Sequence, residues 1–340
     1  MSSRFHPRFA WWPARPATVA AAGWIAASIL SVLSVAGYLP TRLAPVAVDS
    51  SALPDDVAQR AVQAEAAVRR WQDFLRRAKA GAGVPAGGDS GLDASGLLGE
   101  ELTPLVTTLG SYEAKRLSTN PAWARVLTGQ LARAGIARGD LVAASFSGSF
   151  PALNLALVAA CDAVGARLVA VSSVTASTWG ANQPGFTWPE MERMLVDAGQ
   201  MRRVTAAVTA GGEADVASDL DTDARVLVEQ ILGSSAARLG VPALRPRHFE
   251  DAVERRLRVY EAAAAGGPIA LYVNVGGAQA SMGRTPAILK LRSGFVPGVP
   301  FDRSADRGVT ARFAERRVKI LMLLNVRELA IKWGVPLAGR

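Results

Sequence analysis

One cysteine and two histidines are all that this chain of 340 residues offers for thiolate or imidazole chemistry. Cys161 has no partner for an intrachain disulfide, and together with His6 and His248 it falls short of a zinc ligand set. No Walker-type glycine-lysine string occurs, and GGAQASMG (276–283) lacks the spacing of a dinucleotide fingerprint. ATP chemistry is therefore not expected, and no cofactor or metal is. Aromatics make up 6% of the chain and no basic stripe is interleaved with them. The net charge of +9 falls to +6 from residue 40 onward once Arg4, Arg8 and Arg15 are set apart (9 minus 3). Nucleic acid is not an expected partner, although an acidic one would suit. A Ser-His-acid site would have to use His248, which stands in RPRHFED at a helix start and reads as a capping residue. Asp162 and Glu190 have no spacing that asks for magnesium.

What the chain does have begins with a run of 23 residues, 17–39, without a charged side chain. At a rise of about 1.5 Å per residue it reaches roughly 34 Å, enough to cross a hydrocarbon core of about 30 Å. Trp11, Trp12 and Trp24 stand near its entry and Tyr38 at its exit, and Arg4, Arg8 and Arg15 precede it. The expectation is a basic cytoplasmic tail (1–16), a transmembrane helix (17–39) in the cytoplasmic (inner) membrane, and an extracytoplasmic remainder. Cleavage after Ser34-Val35-Ala36 is the alternative. Beyond Pro54, apolar residues at Val57, Ala61, Ala64, Val68, Trp71 and Leu75 draw one stripe on a helix over 54–79, read as an amphipathic stalk. Residues 80–96, rich in glycine, alanine and serine, read as a flexible linker. An α/β domain is expected over 97–340.

That domain is organised around Leu141 to Val174. An apolar run, Leu141 to Phe146, enters the small turn Ser147-Gly148-Ser149. Pro151 then suits the first turn of a helix that is apolar nearly all round to Val164 and stops at Gly165. A second apolar run, Leu168 to Ser172, completes a β-turn-α-β unit. Further strands are expected at 204–208, 269–275 and 318–324, with helices near 223–239, 249–264 and after Asn325, and a loop at 209–222. Thr187 and Glu190 have the spacing of a capping box. Strands alternating with helices predict a mostly parallel, doubly wound (Rossmann-like) sheet with both faces covered.

In such a sheet ligands settle at the carboxyl ends of the strands. The candidate binding residues are Ser147, Gly148 and Ser149, Ser172 and Ser173, Thr178 and Asn182, Asn274, Gly276 and Gly277, and Asn325. Hydroxyls, side-chain amides and backbone N–H groups of this kind hold a carboxylate or phosphate. The pocket requires the Ser-Gly-Ser turn and the glycine pair to meet at one sheet edge. A serine nucleophile would be Ser147 or Ser149 with Lys115, one of only five lysines, as its base.

Several strings resemble the poly-gamma-glutamate system protein family (PgsW-like). They are LTPLVTTLGSYEAKR and STNP (102–121), FSGSFPALN (146–154), SSVTASTWGAN and FTWPEMERML (172–195), NVGG (274–277) and LLNVRELAIKWG (323–334). The likeness spans most of 99–335, and residues 80–96, 209–222 and 295–308 fall outside it. It implies a membrane-associated component encoded with the machinery that makes or exports poly-gamma-glutamate, and it carries over no catalytic residue. Two functions are expected in turn. One is an anchored binding or assembly subunit that contacts other subunits and the acidic polymer or glutamate oligomers. The other is a serine-dependent amidohydrolase or transpeptidase acting on that polymer.

Overall fold

At the centre of the molecule lies β2 (Leu141–Phe146), every residue of which is buried. The computed structural model describes residues 53–88, 93–284, 293–296 and 307–337. Before β2 come α1 (Asp55–Gly81), β1 (Val106–Thr108), α2 (Tyr112–Ser118) and α3 (Ala122–Arg133). After it follow α4 (Pro151–Val164), β3 (Arg167–Ser173), β4 (Ala176–Ser177), α5 (Trp188–Asp197), β5 (Thr205–Thr209), α6 (Thr222–Leu239) and β6 (Ala243–Leu244). The chain continues through α7 (Phe249–Ala264), β7 (Ile269–Val275), α8 (Gln279–Met282), β8 (Gly294–Val296), α9 (Val309–Glu315), β9 (Lys319–Leu323) and α10 (Val326–Trp333). The main sheet has the order β6-β5-β3-β2-β7-β9-β8. All its pairings are parallel except β8 on β9, so the chain is α/β with a mostly parallel sheet.

Successive strand residues point to opposite faces, and β2 records which helices cover each. Val142, Ala144 and Phe146 join one core with Trp123 and Leu127 of α3, Leu153 and Leu157 of α4, and Leu329 of α10. Ala143 joins a second core with Phe249, Val253 and Leu257 of α7 and Phe313 of α9. The nearly all-apolar α4 is buried along most of its length because it is sandwiched, as its composition predicts. It ends at Gly165 with φ 75°, a left-handed C-cap. The capping box at Thr187 forms: the Glu190 carboxylate accepts from the Thr187 amide at 2.9 Å and from its hydroxyl at 2.7 Å.

The helix read as a stalk is instead a layer of this unit. Ala64, Val68, Trp71 and Leu75 belong to the same core as β2 and α4. Trp71 Nε1 donates to the Gln200 carbonyl at 3.0 Å, and Gln72 Nε2 to that of Thr119 at 2.8 Å. Full burial of a large apolar side chain is worth about 1.5–3 kcal/mol, so this stripe holds α1 down. The segment read as a flexible linker is tied at both ends where it is described. Lys79 Nζ donates to the Leu98 carbonyl at 2.6 Å, and the Asp93 carboxylate accepts from the Leu98 amide at 2.6 Å. The packed unit therefore includes α1 and does not start at residue 97.

The strand expected at 204–208 runs one residue later. Its entry is held by Glu192, whose carboxylate accepts from the Val204 and Thr205 amides at 2.8 Å each and from the Thr205 hydroxyl. Burial raises the Glu192 pKa against these hydrogen bonds. The expected tail (1–16) and membrane segment (17–39) lie outside the described residues. Among the described residues no helix is long and apolar enough to cross a membrane.

Candidate functional site

β2 and β7 run side by side in register, with Ser145 opposite Asn274 and Phe146 opposite Val275. The turns that follow them consequently meet. The Ser147 amide donates to the Val275 carbonyl at 3.3 Å, and a Cβ on Gly276 would lie 3.0 Å from that of Ser147. Gly276 has φ 86°, a conformation that favours glycine. Its amide donates to the Leu323 carbonyl at 3.1 Å, which brings β9 and the nearby Asn325 to the same edge.

Most polar groups at this edge bind one another. Ser147 Oγ donates to Ser149 Oγ at 3.0 Å and accepts from the Ser149 amide at 3.1 Å, and Ser149 Oγ accepts from the Ser177 amide at 3.0 Å. Asn154 Nδ2 donates to the Ser147 carbonyl at 3.1 Å. Gly148 is a packing glycine rather than a ligand-facing one. A Cβ there would stand 2.8 Å from the Thr175 carbonyl oxygen, and the Ala181 amide donates to the Gly148 carbonyl at 2.8 Å. Segment 175–181 thus lies directly on the turn.

Several residues expected at the rim are latches. Ser172 Oγ accepts from Trp188 Nε1 at 3.1 Å and sits 2.6 Å from Thr205 Oγ1, inside the core. Thr178 Oγ1 accepts from the Gly110 amide at 2.7 Å and donates to its carbonyl at 3.0 Å. Asn182 grips the Glu100 backbone likewise, accepting at 3.0 Å and donating at 2.7 Å. Ser172 fastens α5 to the sheet, and Thr178 and Asn182 fasten the 99–110 segment to the stretch that follows β3. Asn325 caps α10, accepting from the Glu328 amide at 3.2 Å. Gly277 is exposed. Asn274 Nδ2 donates to the Gly276 carbonyl at 2.7 Å, whereas its Oδ1 is buried with no partner among the described residues.

Lys115 does reach the serine turn. It is 1% exposed on α2, and its Nζ donates to the Ser149 carbonyl and, at 2.6 Å, to Ser177 Oγ. The same nitrogen lies 3.9 Å from the centroid of the Phe150 ring. Burial lowers its pKa from 10.5 to about 7. Ser177, rather than Ser147 or Ser149, is the hydroxyl it touches, and sequence reasoning missed it because Ser177 lies on a two-residue strand outside the main sheet. Two residues on, Trp179 holds φ 61°, a strained conformation for a bulky side chain, with its ring 5.2 Å from that of Tyr112. Protonated, Lys115 is a cation held by one hydroxyl, one carbonyl and an aromatic ring. Neutral, it can take the proton of Ser177 as that oxygen attacks an amide carbonyl, then pass it to the leaving amine.

A second cation under this edge was not anticipated. Arg256 of α7 is fully buried on the other face of the sheet, where its Nε and one terminal nitrogen each bind an oxygen of Asp215 at 2.7 Å. The same terminal nitrogen donates to Thr209 Oγ1 at 2.9 Å and lies 3.4 Å from Ser173 Oγ, and the other lies 3.3 Å from Ser145 Oγ. Ser173 therefore belongs to this cluster and not to the Ser147 turn. The signal for Arg256 was present, since it stands three residues after Val253 and four before Tyr260 on the apolar stripe of α7.

His248 is exposed and caps α7, accepting from the Asp251 amide at 3.4 Å. Among the described residues no group of His, Cys, Asp or Glu side chains is arranged to hold a metal. A cleft of about 250 Å³ lined by Asp162, Ala166, Arg167 and Arg202 lies at the opposite edge of the sheet, where β3 begins. It holds an exposed ion pair and none of the residues above. Comparison with family models, curated proteins and solved structures returns no match.

Proposed function

We propose that the chain is a membrane-anchored accessory component, for binding or assembly, of a poly-gamma-glutamate synthesis or export system. In this reading a doubly wound, Rossmann-like α/β domain holds a carboxylate or polymer end at the carboxyl edge of its sheet. The anchor is the charge-free run 17–39, which puts the α/β domain outside the cytoplasmic membrane, and the strings at 102–121, 146–154, 172–195, 274–277 and 323–334 support the pathway. Other subunits of that system and the acidic polymer are the partners. The observation that carries the binding role is the meeting of the Ser147–Ser149 and Gly276–Gly277 turns above a buried lysine, since hydroxyls and a cation in one place suit an anion. Calorimetry on the full-length protein in detergent tests it. Glutamate oligomers of gamma linkage are expected to give saturable heat, and its absence at every chain length would sink the reading.

The Lys115–Ser177 contact favours a second reading, a serine-dependent amidohydrolase or transpeptidase on the same polymer. Incubation with poly-gamma-glutamate would then shorten or transfer it, and Ser177→Ala or Lys115→Met would lower the rate by about a hundredfold or more. Polymer that keeps its length with the unaltered protein, and no product with an added amine acceptor, rejects this reading.

A further inference from the structure

Arg256 and Asp215 stand out because neither is explained by the serine turn. Arg256 sits below the C-terminal ends of β2, β3 and β5, in contact with Ser145, Ser173 and Thr209. One side of its planar fork, Nε and a terminal nitrogen, is engaged by one carboxylate, the bidentate geometry with which arginine receives carboxylate ligands, while the other terminal nitrogen faces Ser145 Oγ. That carboxylate comes from a surface loop. In the loop around Asp215, Gly211, Asp215 and Ala217 are buried, while Glu213, Ser218 and Asp219 face solvent. To deliver Asp215 inward the backbone takes left-handed φ at Gly211 (82°), Gly212 (67°), Ala214 (51°), Asp215 (65°) and Ala217 (52°). Three of these are not glycine, and side-chain-bearing residues enter that region at an energetic cost. The outer part of the loop is held largely by bonds within itself, the Asp215 and Val216 amides donating to the Gly212 and Glu213 carbonyls at 3.3 and 3.1 Å. The Ala214 amide donates to Gln279 Oε1 at 2.6 Å, that of Glu213 to Asp219 Oδ1 at 3.0 Å, and that of Ala217 to the Gly211 carbonyl at 2.8 Å.

A carboxylate held in a strained loop, on an arginine at the ligand-binding edge of a parallel sheet, has the form of a resident occupant. We propose that Arg256 is the carboxylate receptor of the strand-end site and that Asp215 is its displaceable plug. A ligand carboxylate takes over the guanidinium, Asp215 leaves, and the 211–219 backbone relaxes out of its left-handed conformation. Ser145, Ser173 and Thr209 supply hydroxyls around the incoming oxygens. The proposal rests on the carboxylate-binding reading above and adds to it the receiving residue and a competitor built into the chain.

Hydrogen exchange on the full-length protein, with and without a saturating gamma-linked glutamate oligomer, tests it, with inorganic phosphate as a parallel arm. The expected result is at least tenfold faster exchange of the Glu213, Ala214 and Ala217 amides with the oligomer and no change with phosphate. Asp215→Asn, which keeps the shape and lowers the charge of the plug, is expected to bind the oligomer about tenfold more tightly, because the receptor is then open for a larger fraction of the time. Oligomer binding that leaves loop exchange and the Asp215→Asn affinity unchanged overturns the assignment of Arg256 and leaves the carboxylate-binding reading standing. Loop release by phosphate alone overturns the carboxylate assignment. Binding by neither protein overturns both readings, and if Asp215→Asn does not fold, loop exchange in the unaltered protein decides.

Discussion

Asp215→Ala is expected to destabilise the fold by about 3–5 kcal/mol, the range for removing one partner of a buried ion pair. The size of the effect follows from burial, since Arg256 and Asp215 have side-chain exposures of 0% and 1%. With Asp215 gone, the guanidinium keeps its hydroxyl neighbours and loses the only carboxylate that it contacts among the described residues. The exposed pairs behave differently: Arg60–Asp56 and Arg245–Glu229 join solvated groups, and breaking either should change stability by about 0–1 kcal/mol. Urea unfolding followed by circular dichroism measures both cases, with the midpoint falling and the slope unchanged. Replacing both partners by apolar residues, Arg256→Met with Asp215→Leu, should recover much of the loss, because no charge is then left buried. A single Asp215→Ala within about 1 kcal/mol of the parent would mean that water reaches the guanidinium.

Lys115 carries the second large effect, and it depends on pH. Burial lowers its pKa to about 7 in the fold, against 10.5 in the unfolded chain. Between those values the unfolded chain holds a proton that the folded one has released, so stability rises with pH across this window. The slope approaches about 1.4 kcal/mol per pH unit for one proton. Below about pH 7 both states are protonated and the penalty for the buried charge is present in full. Lys79, lowered chiefly by desolvation with Asp93 and Glu100 acting against it, adds a slope of the same sign. The comparison must therefore be made with Lys115→Met, which should lose its share of the slope between pH 7 and 10 while the Lys79 share persists. Parallel stability curves for the two proteins over that range would show that Lys115 keeps its proton, held by the Ser149 carbonyl, Ser177 Oγ and the Phe150 ring.

The parts of the fold legible in the sequence are those that depend on neighbours along the chain. The strand at 141–146, the turn of small residues, the proline-led helix and its glycine stop all follow from residues within one another's reach. The helix 249–264 and strand 269–275 agree to the residue because their periodicities differ and Gly266-Gly267 separates them. Among the described residues the one antiparallel strand of the main sheet, β8, covers three residues, too short a run for alternation to declare itself. The convergence of the Ser147 and Gly276 turns was readable as well, since parallel strands end at a common edge.

The site was legible in location and not in wiring. Serines, threonines and asparagines at strand ends read as hydrogen-bonding groups for a ligand, yet Ser172 accepts from Trp188 Nε1, and Thr178 and Asn182 donate to the Gly110 and Glu100 carbonyls. Nothing local distinguishes the two uses. Lys115 could be singled out as a candidate base, but not its burial, which comes from residues 34 and 62 positions away.

Residue types and their spacing determined the order of elements, the apolar faces of the helices and the parallel sheet, because periodicity decides which side of an element avoids water. The stripe on α1 marked that helix as amphipathic without naming what would cover it. Tertiary structure alone decided that α1 packs on the helices α3 and α4, that the rim hydroxyls bind one another, and that Lys115 and Arg256 lie out of water. Desolvation and hydrogen-bond partnership belong to positions in space, and the groups that set them lie tens to more than a hundred residues apart along the chain.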